Sequence, residues 1–357
     1  MRAIRGSIAL GIALVLVLVA GFARARGRPE SWLGMPTEVV TPPAEANETR
    51  PPMSPIARAA AAEIPPVARQ TPPVVPVVPD APPPKVSASL PWTLRPASVA
   101  NVVRLDGAVA LQSAGVGFAS TLLAMARFAP DFGVLARVAI AHTATEDFVQ
   151  SAFGNLVLGL AWTPTIAPHV RLPLFAGAAL PVASGSGDRT PWEDVPLGYK
   201  ALAAGAAARG SMDNMLFAGN YLAFAFGAGL AYVADNGFTV QAEATIFALG
   251  RSRGDAYEPD DEKSNLTAGV HIGHTVANIV TVSLEGRYQR WLSTPAAVLK
   301  DDAKRDTLTA GIGIRTKIVL AGGAVTLRPG IAYFEPLDDP LAGLGYHFFL
   351  FDVPAVF

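Results

Sequence analysis

The chain of 357 residues has no cysteine and little charge: Asp, Glu, Lys and Arg together make up 16%. Without cysteine, neither a disulfide framework nor a lipid-modified amino-terminal cysteine is open to it. Beyond Ala23 there is no run of 18 apolar residues, which excludes a further membrane-spanning helix. The net charge of −1 and the lack of a basic stripe with interleaved aromatics exclude a nucleic-acid partner. Gly-x-Ser-x-Gly elbows, P-loops and zinc-protease helices are all missing, so no cofactor is implied. The five histidines do not make a metal site, since His271 and His274, three apart on a strand, point to opposite faces.

What is present is apolar. The mean hydropathy is +0.34 and 51% of residues are hydrophobic. A chain this apolar without spanning helices is either a large soluble β core or a barrel whose outside faces lipid.

The amino terminus has the form of an export signal. Arg2 and Arg5 precede an apolar run from Ile8 to Ala23, and Ala23-Arg24-Ala25 is a small-x-small cleavage pattern. We therefore assign residues 1–25 to a signal peptide. Arg24, Arg26 and Arg28 weaken the cleavage pattern, and an uncleaved inner-membrane anchor is the competing reading. Residues 26–97 form a Pro-rich segment: 18 of the 31 prolines lie between Gly27 and Ala97. Such a stretch cannot pack a core and is expected to be a disordered periplasmic linker, free or engaging a periplasmic partner.

Residues 98–357 read as strands. Phe238-Thr-Val-Gln-Ala-Glu-Ala-Thr-Ile246 alternates strictly, as do Val280–Tyr288 and Leu308–Ile318. The period is 2, not 3.6. Twelve candidates follow: Asn101–Leu111, Thr121–Phe128, Gly133–His142, Phe153–Trp162, His169–Val182, Asn220–Ala234, Phe238–Leu249, Asn265–Val276, Ile279–Trp291, Thr307–Val319, Ala324–Phe334 and Leu344–Phe357. The connections sort into two kinds. Ala129–Phe132, Thr163–Pro168, Asp235–Gly237, Ala277-Asn278 and Leu320–Gly323 are short. Ser184–Gly219, Gly250–Ser264, Leu292–Asp306 and Glu335–Gly343 are longer and more polar. Short periplasmic turns and long outer loops are the habit of bacterial outer-membrane barrels. The fold expected is an all-β transmembrane antiparallel up-and-down β-barrel of about 12 strands. A hairpin hidden in Ser184–Gly219 would make it 14. Alternatively, part of that long loop folds into the mouth, since its alanine-rich Tyr199–Arg209 favours helix.

The carboxyl end supports closure. Tyr346–Phe357 alternates and finishes on phenylalanine, resembling the carboxyl-terminal signature of outer-membrane barrels, with Phe349, Phe351, Val353 and Phe357 as the assembly signal. Ala355 stands where a bulkier residue is common, and Pro354 removes a ladder donor. Strand parity puts Arg104, Asp106, Arg137, Arg171, Glu243, Glu285, Arg287, Arg315, Lys317 and Arg328 on the lumen side. Seven are basic and three acidic, which favours anionic solutes unless the charges pair across the barrel. Asp255–Glu262 is an acidic outer loop with hard oxygen ligands for a divalent cation, but Pro259 and its spacing match no EF-hand, and no metal site is assigned.

Three segments carry a family resemblance. Phe128–Ile140, Phe153–Trp162 and Leu174–Gly185, the last ending Leu-Pro-Val-Ala-Ser-Gly, resemble the outer-membrane transporters linked to phenol degradation, the meta-pathway family. Gly154-Asn155 replaces the Gly-Asp of that pattern, and the Pro-Thr-Gly motif carries an insertion. The resemblance covers about 60 residues; it implies a barrel related in kind to hydrophobic-compound transporters, and transfers no functional residue. The function expected is an outer-membrane pore or transporter for small solutes, hydrophobic or anionic, located in the outer membrane of a Gram-negative bacterium. The alternative is a non-transporting barrel that anchors the Pro-rich segment. No enzyme is expected, with a barrel lipid hydrolase the one enzymatic alternative. The partners expected are outer-membrane lipid, the barrel-insertion machinery and a small-molecule solute.

Overall fold

The computed structural model describes residues 88–113, 115–186, 189–190, 193–253 and 260–357. The expected signal peptide, the Pro-rich segment up to residue 87 and most of the acidic loop (254–259) lie outside the described residues.

The barrel wall is built from β1 Val102–Gln112, β2 Gly115–Ala129, β3 Phe132–Ala144, β4 Val149–Phe153, β5 Leu156–Trp162, β6 Leu174–Leu180, β7 Tyr221–Val233, β8 Phe238–Arg251, β9 Glu262–Val276, β10 Val280–Trp291, β11 Asp306–Thr316, β12 Gly330–Pro336 and β13 His347–Val356. β4 and β5 are one stave, interrupted at Gly154-Asn155, and both pair with β3. The sheet is antiparallel throughout and closes where β13 pairs with β1, from Val102 opposite Val356 to Leu111 opposite His347. The result is a closed twelve-stave barrel with no free edge. The fourteen-strand alternative fails because, among the described residues, the strands in the long loop, Arg189–Thr190 and Glu193–Pro196, pair with each other and not with the wall.

Alternation sets the two surfaces. Outward residues are apolar and exposed: Phe226 is 64% exposed, Leu230 53% and Leu284 53%. Only lipid accepts so continuous an apolar band. Inward residues on the same strands are buried, as the patterns of β8 and β10 show. His271 is inward and fully buried, while His274 faces out. At the periplasmic end, Ala277 and Asn278 both adopt positive φ, of 50° and 55°, the geometry of a two-residue hairpin turn.

The closing strand matches its expected facing in part. Phe349, Phe351 and Val353 face lipid, 38–43% exposed. Ala355 does not join them; it is 3% exposed, wedged between β1 and the short strand Val325–Leu327. Phe357 lies past the strand and donates its N–H to the Asn101 carbonyl at 3.0 Å. Pro354 has no N–H to give the ladder, but its carbonyl still accepts from Arg328 N–H at 2.9 Å.

Candidate functional site

Two chain segments fill the lumen. The outer one is the long connection between β6 and β7. Its helix α1, Leu197–Ala208, buries Gly198, Ala201, Leu202, Gly205 and Ala208, a stripe of small residues at helical spacing. That stripe lies against an alanine-lined wall: a Cβ added to Gly205 would stand 2.6 Å from the Ala141 Cβ and 2.8 Å from the Phe217 ring. Gly210, with φ +62°, ends the helix, and the Gly210 and Ser211 N–H groups return to the Ala207 and Ala206 carbonyls. A short helix α2, Asn214–Phe217, leads back to the rim. Asn155, fully buried at the β4–β5 break, holds it by donating to the Met215 and Ala218 carbonyls at 3.0 and 2.8 Å. Part of Ser184–Gly219, from Leu197 to Phe217, thus folds into the mouth.

The tip of this insert is ionic. Asp213 receives Arg137 through Nη1 at 2.7 Å and Nη2 at 3.1 Å, and Arg209 Nε at 2.8 Å. Burial pushes the Asp213 carboxyl up, but Arg137 and Arg209 outweigh it and hold the group well below the usual carboxylate range. On the far side of the lumen, Arg287 Nη1 meets the Arg209 carbonyl at 3.5 Å.

The inner segment arches across the periplasmic half. Residues 88–97, which composition groups with the Pro-rich linker, are instead buried in the lumen: Ser89 is 2% exposed, Trp92 1% and Leu94 5%. They have no secondary structure, so wall side chains must satisfy their backbone groups. They do. Ser89 N–H donates to Thr239 Oγ1, and the N–H groups of Trp92 and Thr93 donate to Glu285. Arg95 N–H donates to Glu243, whose carboxylate also pairs with the Arg95 guanidinium. Arg328 donates to the Ala88 carbonyl, Arg104 to that of Trp92 and Gln241 to that of Arg95. The Trp92 ring lies 3.4 Å from the Arg315 guanidinium and fills space left by Gly313 and Gly330, where an added Cβ would be 2.4 and 2.8 Å from the ring.

The sequence-selected lumen residues therefore divide. Arg104, Asp106, Arg137, Glu243, Glu285, Arg287 and Arg315 point inward from the wall and bond to an insert or to each other. Arg328 holds the arch from the periplasmic rim. Arg171 is half-buried at that rim, opposite Ala231. Lys317 is not on a barrel strand; it follows β11 in a periplasmic turn and donates its N–H to the Ile279 carbonyl. The excess of base is offset in part by two acids that strand parity did not select. Asp352 takes Arg315 at 2.7 Å and Arg104 at 2.9 Å, and Asp213 takes Arg137. Asp352 was legible in principle, flanked by the outward Phe351 and Val353. Asp213 was not, because it lies in a loop.

The inner wall has two different halves. Ala119, Ala139, Ala141, Ala179, Ala223 and Ala225, on β2, β3, β6 and β7, are each 3% exposed or less. On β8–β11 the register instead aligns polar rows. Thr245, Thr267, Gln289 and Thr307 are mutual neighbours across the four strands; below them come Glu243, Gly269, Arg287 and Thr309, then Gln241, His271, Glu285 and Gly311.

Ser89, His271 and Glu285 stand as a hydroxyl, imidazole and carboxylate series, with Ser89 Oγ 2.9 Å from Nε2 and Glu285 3.4 Å from Nδ1. The series is sealed, and Glu285 is already occupied by Trp92 and Thr93. Among the described residues no group of three or more His, Asp or Glu side chains is placed to hold a metal ion.

No protein-family model matches the sequence, and no curated protein does. Solved structures do. The KdgM porin in complex with disordered oligogalacturonate has a TM-score of 0.42 at 11% identity, over 71% of this chain and 99% of that one. The COG4313 outer membrane channel from Pseudomonas putida F1 has 0.47 at 9%, over 74% and 98%. The CymD monoaromatic hydrocarbon channel has 0.34 at 8%, over 72% and 87%. At these values no solute and no residue role passes to this chain. The likeness to phenol-pathway transporters rests on its three loose segments alone.

Proposed function

We propose that the protein is an outer-membrane pore or transporter for small solutes in a Gram-negative envelope, and that its lumen is closed here by two movable inserts. One observation carries this reading: the polar face of β8–β11, which runs through the lumen as successive rows from Thr239 at the periplasmic side to Asn265 at the outer side. A barrel that only anchors a chain is stable with an apolar filling, and buried polar side chains lower its stability unless each is paired. Polar rows of this length suit a path for hydrated solutes. They support polar or anionic solutes over the hydrophobic ones that the family resemblance suggests. Ser89, His271 and Glu285 then serve to hold the arch, which supports a non-enzymatic role.

The occlusion itself favours a second reading, in which the plugged barrel anchors the Pro-rich segment and passes nothing. Planar-bilayer recording separates the two. A barrel lacking both Ala88–Ala97 and Thr190–Asp213 should show discrete conductance steps. A doubly deleted barrel that folds, inserts and still seals the bilayer would leave only the anchor.

A further inference from the structure

The outer end of the polar face holds buried atoms that none of the described residues satisfies. Asn265 is fully buried, yet neither its Oδ1 nor its Nδ2 has a hydrogen-bond partner. Gln289, 2% exposed, accepts from Thr307 Oγ1 at 2.8 Å, while its Nε2 has no partner. Arg287, 1% exposed, uses Nε on Thr309 and Nη1 on the Arg209 carbonyl, and its Nη2 is unpaired. Buried polar side chains are nearly always paired, so each exception calls for a cause. Three on neighbouring inward positions call for a shared one.

Their placement supplies it. Arg287 and Gln289 are alternate residues of β10, roughly 7 Å apart along the strand. Asn265 is diagonal to Gln289 across the β9–β10 pair, since Asn265 faces Trp291 and Thr267 faces Gln289; the diagonal spans about 7–8 Å. Gly269 faces Arg287, so the three positions form a row roughly 14 Å long with Gln289 in the middle, a span that one sugar acid bridges with a hydrogen bond at each end. The unpaired set is mostly donors: a guanidinium nitrogen and two amide nitrogens against the single Asn265 oxygen. A guanidinium edge prefers a carboxylate, and amides pair with hydroxyls. The insert covers this place, because Gly210 lies against Arg287, where an added Cβ would be 3.4 Å from Nη2.

We propose that Arg287, Gln289 and Asn265 form a binding site for a small hydroxylated carboxylate, exposed when the tip of the insert moves off Arg287. The site deepens the pore reading and depends on it only for how the solute arrives.

The test uses the full chain in detergent, equilibrium dialysis, and radiolabelled D-glucuronate as probe, with D-glucose as the uncharged comparator. Glucuronate should be retained at millimolar concentration or below, with glucose at least tenfold weaker. Gln289→Leu and Asn265→Leu, near-isosteric changes, should each weaken retention about tenfold, while the heat-modifiable gel mobility of a folded barrel is kept. Asp213→Asn, which frees the insert, should strengthen it. Should either leucine variant fail to fold, Gln289→Glu replaces it and should abolish retention by charge repulsion. No glucuronate retention by both the wild type and Asp213→Asn, or equal retention by the folded site variants, overturns the site. Conductance of the doubly deleted barrel is recorded alongside. Binding with a sealed bilayer overturns the pore and keeps the site; conductance without binding does the reverse.

Discussion

Arg137 on β3 grips Asp213 at the tip of the outer insert through two parallel hydrogen bonds, Nη1 to Oδ1 at 2.7 Å and Nη2 to Oδ2 at 3.1 Å. The pair joins wall to plug across 76 residues of sequence. Arg209 Nε adds a second cation to the same carboxylate. Asp213 thus pins the tip of the insert ionically, and the close packing of small residues along α1, the Asn155 hydrogen bonds to the Met215 and Ala218 carbonyls and the Arg287 bond to the Arg209 carbonyl add to its hold on the wall.

Removing the carboxylate should release the pin. Asp213→Asn leaves two guanidinium groups facing each other with no acid between them. Breaking one side of a buried pair costs roughly 3 kcal/mol, about two orders of magnitude in the ratio of docked to free insert. In planar bilayers a barrel lacking Ala88–Ala97, where the arch no longer limits, should open more often with Asp213→Asn than without it. An unchanged trace from a correctly folded variant would show that the pin does not govern closure.

The same carboxylate sets a pH dependence. Its folded pKa is depressed, so its contribution is complete above the ordinary value of about 4 and lost as pH falls below that, towards the folded value. The closed state should therefore hold between pH 7 and about 4 and loosen below. Asp213→Asn should lack that step. Conductance of the barrel lacking Ala88–Ala97, recorded from pH 7 down to 3, checks both, and an opening that sets in near pH 6 would implicate another group.

The two inserts occlude the lumen in series, the arch on the periplasmic side and the helical insert on the outer side. Resistances in series add, so removing one leaves the other limiting. Deleting Ala88–Ala97 or Thr190–Asp213 alone should raise conductance little, and deleting both should raise it far more than the sum. Additive increases would mean that solutes bypass one of the inserts.

Gly205 sets how closely α1 can approach the wall. Gly205→Leu places side-chain atoms where the Ala141 methyl and the Phe217 ring already stand, at 2.6 and 2.8 Å from the new Cβ. Overpacking of this kind costs about 1–3 kcal/mol. The insert should become protease-sensitive while the barrel keeps its heat-modifiable mobility. Equal protection of Gly205→Leu and wild type would place the hold of the insert elsewhere.

Closure at the carboxyl end gives a prediction about assembly. Phe357 lies beyond β13 and bonds to Asn101 just before β1, so it sits on the seam that must join last. Its deletion should lower the amount of barrel in the outer membrane several-fold and leave unfolded chain to be degraded. Membrane fractionation showing equal amounts would remove Phe357 from the assembly signal.

The wall of this protein was legible in its sequence because it is local. Alternation in Phe238–Ile246 and Val280–Tyr288 sets which side chains face in and which face lipid. Asp235-Asn-Gly237 and Ala277-Asn278 mark where strands reverse, and loop lengths sort the two rims. Hence twelve staves and the inward side of Arg104, Glu285 and Arg315 follow from the sequence by itself. The filling of the lumen does not. Pro91 and Pro96 give residues 88–97 the look of a linker, and it is wall side chains, Arg104, Thr239, Gln241, Glu243, Glu285, Arg315 and Arg328, that satisfy that backbone. Asp213 meets Arg137, and Gly210 meets Arg287, through contacts with no periodicity to betray them. A strand pattern depends on neighbours one and two residues away, whereas what occupies a closed lumen depends on side chains that only the completed barrel brings together.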